Sequence, residues 1–148
     1  MASAPNPAPH QILDDLAAEF ELLGDWEERY RHIIDLGRGL LPLTDDERCE
    51  ANKVRGCASQ VWVVTKTTPG GNLRLRGDSD AHIVRGLIAL VLQLYSDQPP
   101  GAILALDPQK AFARLGLSTA LSSQRANGLK SMVERIRQDA QRALAVGS

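Results

Sequence analysis

Hydrophobic positions along this chain recur with two different periods, and the places where the period changes mark out the elements. Over 11–23, Ile12, Leu13, Leu16, Phe20 and Leu23 fall at helical spacing, and Gly24 supplies the stop. Asp25 follows as an N-cap. Beyond it Trp26, Tyr30, Ile33, Ile34 and Gly37 gather on one side of a second helix, while Glu27, Glu28, Arg31 and Asp35 fall mostly on the other. Leu41-Pro42 is its predicted end. Two helices joined by so short a link should lie against each other. Trp26 and Tyr30, four residues apart, read as helix neighbours packed in the core rather than as a ligand cage.

The period then shortens to two. The stretch 59–67 is apolar and β-branched, 72–77 alternates Leu73 and Leu75 with Arg74 and Arg76, and Pro69-Gly70-Gly71 joins them as a hairpin. Trp62 and Val64 are as apolar as Val61 and Val63, so the first strand is expected to be covered on both faces, or paired with a third short strand near 53–55. A helix is predicted from Ser79 or Asp80, with these residues at its positive end, to about Tyr95. Its apolar face, Ala81, Val84, Leu87, Ile88, Val91, Leu94 and Tyr95, is widened by Ile83 and Leu90, which makes the helix central. Pro99-Pro100 breaks the chain before short helices around 110–115. A last amphipathic helix from Ser122 or Ser123 carries Leu129, Met132, Val133, Ile136, Ala140, Ala143 and Leu144. Helices on both sides of a hairpin predict an α+β domain: a small three-stranded antiparallel sheet with helices packed mainly on one face.

Composition narrows the function classes. With 148 residues, 43% hydrophobic and 24% charged, and a net charge of −1, the chain suits one ordinary domain over 11–148 behind a flexible tail over 1–10 that holds three prolines. Basic residues such as Arg74 and Arg76, or Arg135 and Arg137, are interleaved with other types, which is a solvated face and not a phosphate-tracking groove, so no nucleic-acid partner is expected. The longest apolar run, 86–94, is far shorter than the ~20 residues that cross a bilayer. The expected location is the cytoplasm, with no membrane partner.

Two cysteines separated by seven residues make no disulfide framework, and a reducing compartment would leave both as thiols. Cys49 stands between Glu47 and Glu50, opposed only by Arg48, whereas reactive thiols favour electropositive surroundings. Cys57 stands at the more telling position, after Gly56 and before the apolar strand, on a loop tip fixed to a rigid element. Periodicity alone does not separate a reactive Cys57 from a small buried hydrophobe. The flanks favour reactivity: Arg55 is close in sequence, Gly56 frees the backbone, and Ser59 and Gln60 offer hydrogen bonds to sulfur. A zinc site would need about four ligands, and His10, His32 and His82 are scattered over unlike elements. A thiol protease would need an oriented base; His82 is the candidate, though that position reads more readily as a helix surface.

The residues around Cys57 resemble the SufE family, sulfur acceptors that work with cysteine desulfurases in iron–sulfur cluster assembly. Gly56-Cys57-Ala58-Ser59-Gln60-Val61-Trp62 matches its central motif. Asp25-Trp26-Glu27 with Tyr30, Leu36-Gly37 and Leu41-Pro42 precede it in order. Gly77-Asp78-Ser79-Asp80-Ala81 with 83–89, then Leu121-Ser122, Arg125, Asn127-Gly128-Leu129 and Met132, follow. The likeness runs from about 13 to 136 and implies a SufE/IscU-like fold. Cys49 falls where the family pattern has no cysteine.

The resemblance implies that Cys57 attacks the terminal sulfur of a persulfide on a SufS-type cysteine desulfurase, stimulates that enzyme, and carries the sulfur to a SufBCD-type scaffold. In this scheme the chain is a covalent carrier rather than an enzyme. It needs no cofactor of its own, the pyridoxal phosphate belonging to the desulfurase. The resemblance also implies a cysteine loop tucked into an apolar cavity at rest and turned outward on docking, with Gly56 as hinge and Asp80 and Arg125 holding the loop and tuning its charge. Residue by residue, Asp80 reads equally well as a helix cap and Arg125 as half of a surface salt bridge. Two other readings stand beside the carrier: an IscU-type cluster scaffold, which needs several thiolates around iron, and a contact-only activator of the desulfurase. Monomer and homodimer are both open.

Overall fold

The computed structural model describes residues 8–57 and 59–147. The expected tail over 1–10 falls mostly outside them, and its last residues are helical: α1 is Pro9–Leu22, starting two residues earlier than expected because Pro9 pre-sets the first turn. Gly24 ends the segment at φ +79°, and Asp25 then caps α2 (Trp26–Arg38), its side chain accepting from the Glu28 amide at 3.0 Å. Helix α2 stops at Gly39, short of Leu41-Pro42.

Strands β1 (Val61–Thr67) and β2 (Leu73–Ser79) pair antiparallel, with Val61 opposite Ser79 and Thr67 opposite Leu73. The expected third strand is reduced, among the described residues, to one bridge between Lys53 and Trp62 and a bond from the Val54 amide to the Val61 carbonyl. Pairing ends there because Gly56, at φ +87°, turns the chain away. On the other edge Leu73 bridges to Gln98.

The long apolar helix is α3 (His82–Tyr95). It begins later than expected because β2 runs on through Ser79, so neither Ser79 nor Asp80 is its N-cap; that position is Ala81, which makes no side-chain cap bond. Leu87, Ile88, Leu90, Val91, Leu94 and Tyr95 are all buried, at about 1.5–3 kcal/mol per large side chain before ordering entropy is subtracted. Helices α2 and α3 touch backbone to backbone: a Cβ at Gly37 would lie 2.6 Å from the Gly86 amide nitrogen, and one at Gly86 would run into the Ile33 carbonyl. Both glycines of the paired motifs are therefore needed for close approach.

Short helices α4 (Pro100–Ala105), α5 (Pro108–Arg114) and α6 (Leu117–Ala120) lead to α7 (Ser123–Gly147). Trp26 and Tyr30 sit edge to face at 5.8 Å; the Tyr30 hydroxyl donates to the Ala120 carbonyl at 3.0 Å, and Trp26 lies against Gly116, so the pair closes the α2 end onto α6.

Val61, Val63, Leu73, Leu75 and Gly77 face α3 and α7, and a Cβ at Gly77 would meet Ile88 and Met132. The opposite face is not simply wet. Asp78, only 2% exposed, accepts from the Leu43 amide at 3.1 Å and pairs with Arg85 at 2.6 Å; Arg76 pairs with Glu47 at 2.6 Å. The segment 41–49 is thereby fastened over that face, and β1 is covered on both sides.

Candidate active site at Cys57

Cys57 sits where the turn after the Lys53–Trp62 bridge crosses the first turns of α7. It is half-buried, and its Sγ donates to the Gly128 carbonyl of α7 at 3.5 Å. The Gly128 Cα faces the same sulfur, with room for no more than a van der Waals contact, since a Cβ there would lie 3.6 Å from Sγ. Burial alone pushes the thiol pKa up from its ordinary value, because the thiolate loses more hydration than the neutral thiol. At neutral pH the resting residue is a shielded neutral thiol.

Beside the sulfur lies a cavity of about 380 Å³. Its walls are apolar: Val61 from β1, Val84, Leu87 and Ile88 from α3, Leu129 and Met132 from α7. Ser59, Ser122, Gln124 and Arg125 add the polar lining. That volume falls in the range of small-molecule pockets and far exceeds the ~30 Å³ share of one water-sized atom. A sulfur added to Cys57 has space to lie against hydrocarbon instead of solvent.

The predicted residues divide on geometry. Gly56 has a positive φ, and Ser59 and Arg125 line the cavity with Cys57. Gln60 and Asp80 meet each other: the Gln60 amide donates to the Asp80 carboxylate at 3.1 Å, and the Asp80 amide reaches the Gln60 carbonyl at 3.4 Å. Asp80 thus closes the far end of the cysteine loop instead of capping a helix. Ser59 and Gln60 were expected to bond the sulfur; the bond goes to the Gly128 carbonyl instead, because the loop lies across α7. Arg125 is exposed and forms no salt bridge among the described residues, while Arg55, expected near the thiol, is paired with Glu50 at 3.0 Å. His82 is exposed and does not line the cavity. Cys49 is exposed too. Among the described residues no group of three or more His, Cys, Asp or Glu side chains could hold a metal ion.

Comparison with known proteins bears on this site directly. A family model described as SufE, Fe-S metabolism associated domain, matches residues 14–140. The chain belongs to the SufE family. An uncharacterised SufE-like protein of Rhizobium etli is 52% identical over 131 residues, spanning 86% of this chain and 88% of that one. Another, from Rhizobium meliloti, is 46% identical over 132 residues, 87% and 94% of the two chains. The solution structure of a hypothetical protein from Thermus thermophilus superposes with a TM-score of 0.73 at 20% identity, covering 96% of this chain and 99% of that one, a likeness of fold. The SufE domain here contains the thiol, the cavity and the Asp80 tie, and it assigns the chain to iron–sulfur metabolism. No described helix is long and apolar enough to cross a membrane.

Sequence reading misses the Gly128 carbonyl as the partner of the thiol. Asn127-Gly128 is visible as a motif, but a backbone acceptor leaves no side-chain signature.

Proposed function

We propose that the chain is a sulfur carrier: Cys57 takes sulfur from a SufS-type cysteine desulfurase and passes it on for cluster assembly on a SufBCD-type scaffold in the cytoplasm. The observation that carries this reading is the half-buried Cys57 sulfur at an apolar cavity, on a loop with a positive-φ glycine next to it. A persulfide is readily stripped by bulk thiols, so a carrier gains from such shelter.

In the transfer step the Cys57 thiolate attacks the terminal sulfur of the donor persulfide. A sulfur–sulfur bond forms at Cys57, the donor's sulfur–sulfur bond breaks, and the donor cysteine leaves as a thiolate that takes up a proton. No net oxidation occurs. Pyridoxal phosphate acts earlier, on the partner, in freeing sulfur from cysteine. Burial disfavours the thiolate at rest and the donor lies on another protein, so in this reading the loop swings outward for transfer; Gly56 permits that turn. Arg125, which lines the cavity without a carboxylate partner among the described residues, would favour the anion there.

Intact-mass measurement after mixing with the desulfurase and cysteine tests the reading. One added sulfur on the wild type and on Cys49→Ala, and none on Cys57→Ser, is the expected result; no added sulfur on either of the first two overturns it. If Cys57→Ser still stimulates the desulfurase fully, the chain is a contact-only activator.

A further inference from the structure

One face of α7 meets the chain before and at the cysteine in three successive places. Arg135, furthest along the helix, donates to the Ala51 carbonyl at 2.7 Å and reaches that of Lys53 at 3.4 Å, so the base of the segment is fixed. Its Nε lies 3.6 Å from Asp139, which accepts from the Thr65 hydroxyl at 2.7 Å; the anchor is thus itself tied to β1. One turn back, Ser131 stands against Gly56, where a Cβ would come within 2.9 Å of its Oγ. A further three residues back, the Gly128 carbonyl accepts from Cys57. Positions 128, 131 and 135 share a helix face. Ser131 faces Gly56, where the backbone turns with positive φ.

We propose that Ser131 is a positioning residue whose small size sets the sheltered resting place of Cys57. With 51–53 gripped by Arg135 and the Gln60 end tied to Asp80, bulk at 131 that meets Gly56 is relieved at Gly56 and Cys57, between the two ties. It lifts Gly56, and with it the sulfur, off the Gly128 carbonyl and away from the cavity. The proposal gives the carrier reading its latch, but the movement itself needs no sulfur donor.

The test is the rate of Cys57 alkylation by iodoacetamide, followed by peptide mass with Cys49 of the same chain as internal reference. Ser131→Ile places a stiff β-branched side chain against Gly56. It is expected to speed Cys57 labelling about tenfold, equivalent to about 1.4 kcal/mol in the closed-to-open balance, with the Cys49 rate and thermal midpoint held. Ser131→Ala, small but without the hydroxyl, keeps the wild-type rate, which distinguishes size from hydrogen bonding. Ser131→Thr gives a smaller rise and carries the test if the isoleucine variant does not fold. Wild-type Cys57 rates in the folded enlarged variants, or an alanine variant as fast as the isoleucine one, overturn the proposal. A rise in labelling in the enlarged variants, with no sulfur uptake by the wild type from the desulfurase, would leave the latch standing and remove the carrier.

Discussion

The two cysteines carry the same chemistry in unlike settings. Cys49 is exposed at the start of a single 3-10 turn, Glu50–Asn52, on the segment that covers the far face of the sheet. Cys57, eight residues on, is half-buried, bonded to α7 and backed by a cavity between α3, α7 and β1. Exposure alone does not make a thiol useful for carrying sulfur. The proposed carrier role asks for a place where a labile product can hide and a turn that can let it out; Cys57 has a cavity beside it and the positive-φ Gly56 next to it.

Exchange of each cysteine gives the largest contrast. Cys57→Ser is expected to reduce sulfur uptake by at least about 100-fold, as loss of the attacking atom must, whereas Cys49→Ser stays within about twofold; equal losses in a radioactive-sulfur uptake assay would end the distinction.

The pH profile of labelling sharpens it. Burial favours the neutral form of Cys57, so its rate in the resting protein should still be climbing with pH beyond the ordinary thiol range of about 8.5. The charged groups around it are Arg125 at the cavity, Arg55 held by Glu50, and Asp80 across the loop. Stability follows the same sign: below the ordinary thiol pKa the buried neutral form costs nothing, and as pH rises from there to the folded-state value the unfolded chain ionises first and the fold loses stability. Labelling of Cys57 that levels off at or below the ordinary range, in stopped-flow or mass-based kinetics, would contradict the shelter.

Asp80→Ala removes the carboxylate that accepts from the Gln60 amide, a bond of about 1 kcal/mol. The loop should open about fivefold more often, read as faster Cys57 labelling against an unchanged Cys49. A helix-capping role would instead lower helix stability and leave the ratio of the two rates alone. The smallest effect is expected from Arg125→Ala. Sulfur uptake should slow by roughly threefold to tenfold, on the scale of one exposed charge, with the thermal midpoint within about 2 °C of wild type; full uptake activity would remove Arg125 from the site.

Much of this is legible in the residues themselves. The periodicities at 11–23, 26–38 and 123–147 and the Pro69-Gly70-Gly71 turn foretell α1, α2, α7 and the hairpin, because each depends on neighbours a few residues away. The Gly56-Cys57 pair marks the thiol, and Gly37 and Gly86 stand in recognisable motifs. Their reason is hidden, since two backbones meeting across α2 and α3 is a contact no local pattern encodes. One of the two roles read for Asp80 fails for a related cause. A carboxylate shortly before a helix looks like a cap, and only the extension of β2 to Ser79 turns it toward Gln60. The buried Asp78 with Arg85 and the Leu43 amide is likewise invisible, its partners lying 7 and 35 residues away.

By itself the chain of residues determined the main helices and the hairpin, the core-facing side of each, and which of two sulfurs stood on a glycine-flanked turn. The shelter of that sulfur was decided only when α7 came to lie across the loop, bringing Gly128 to a cysteine 71 positions earlier. Helical and strand periods are set by bonds between near neighbours. A cavity is the space left between elements, and no element holds it until all of them are packed.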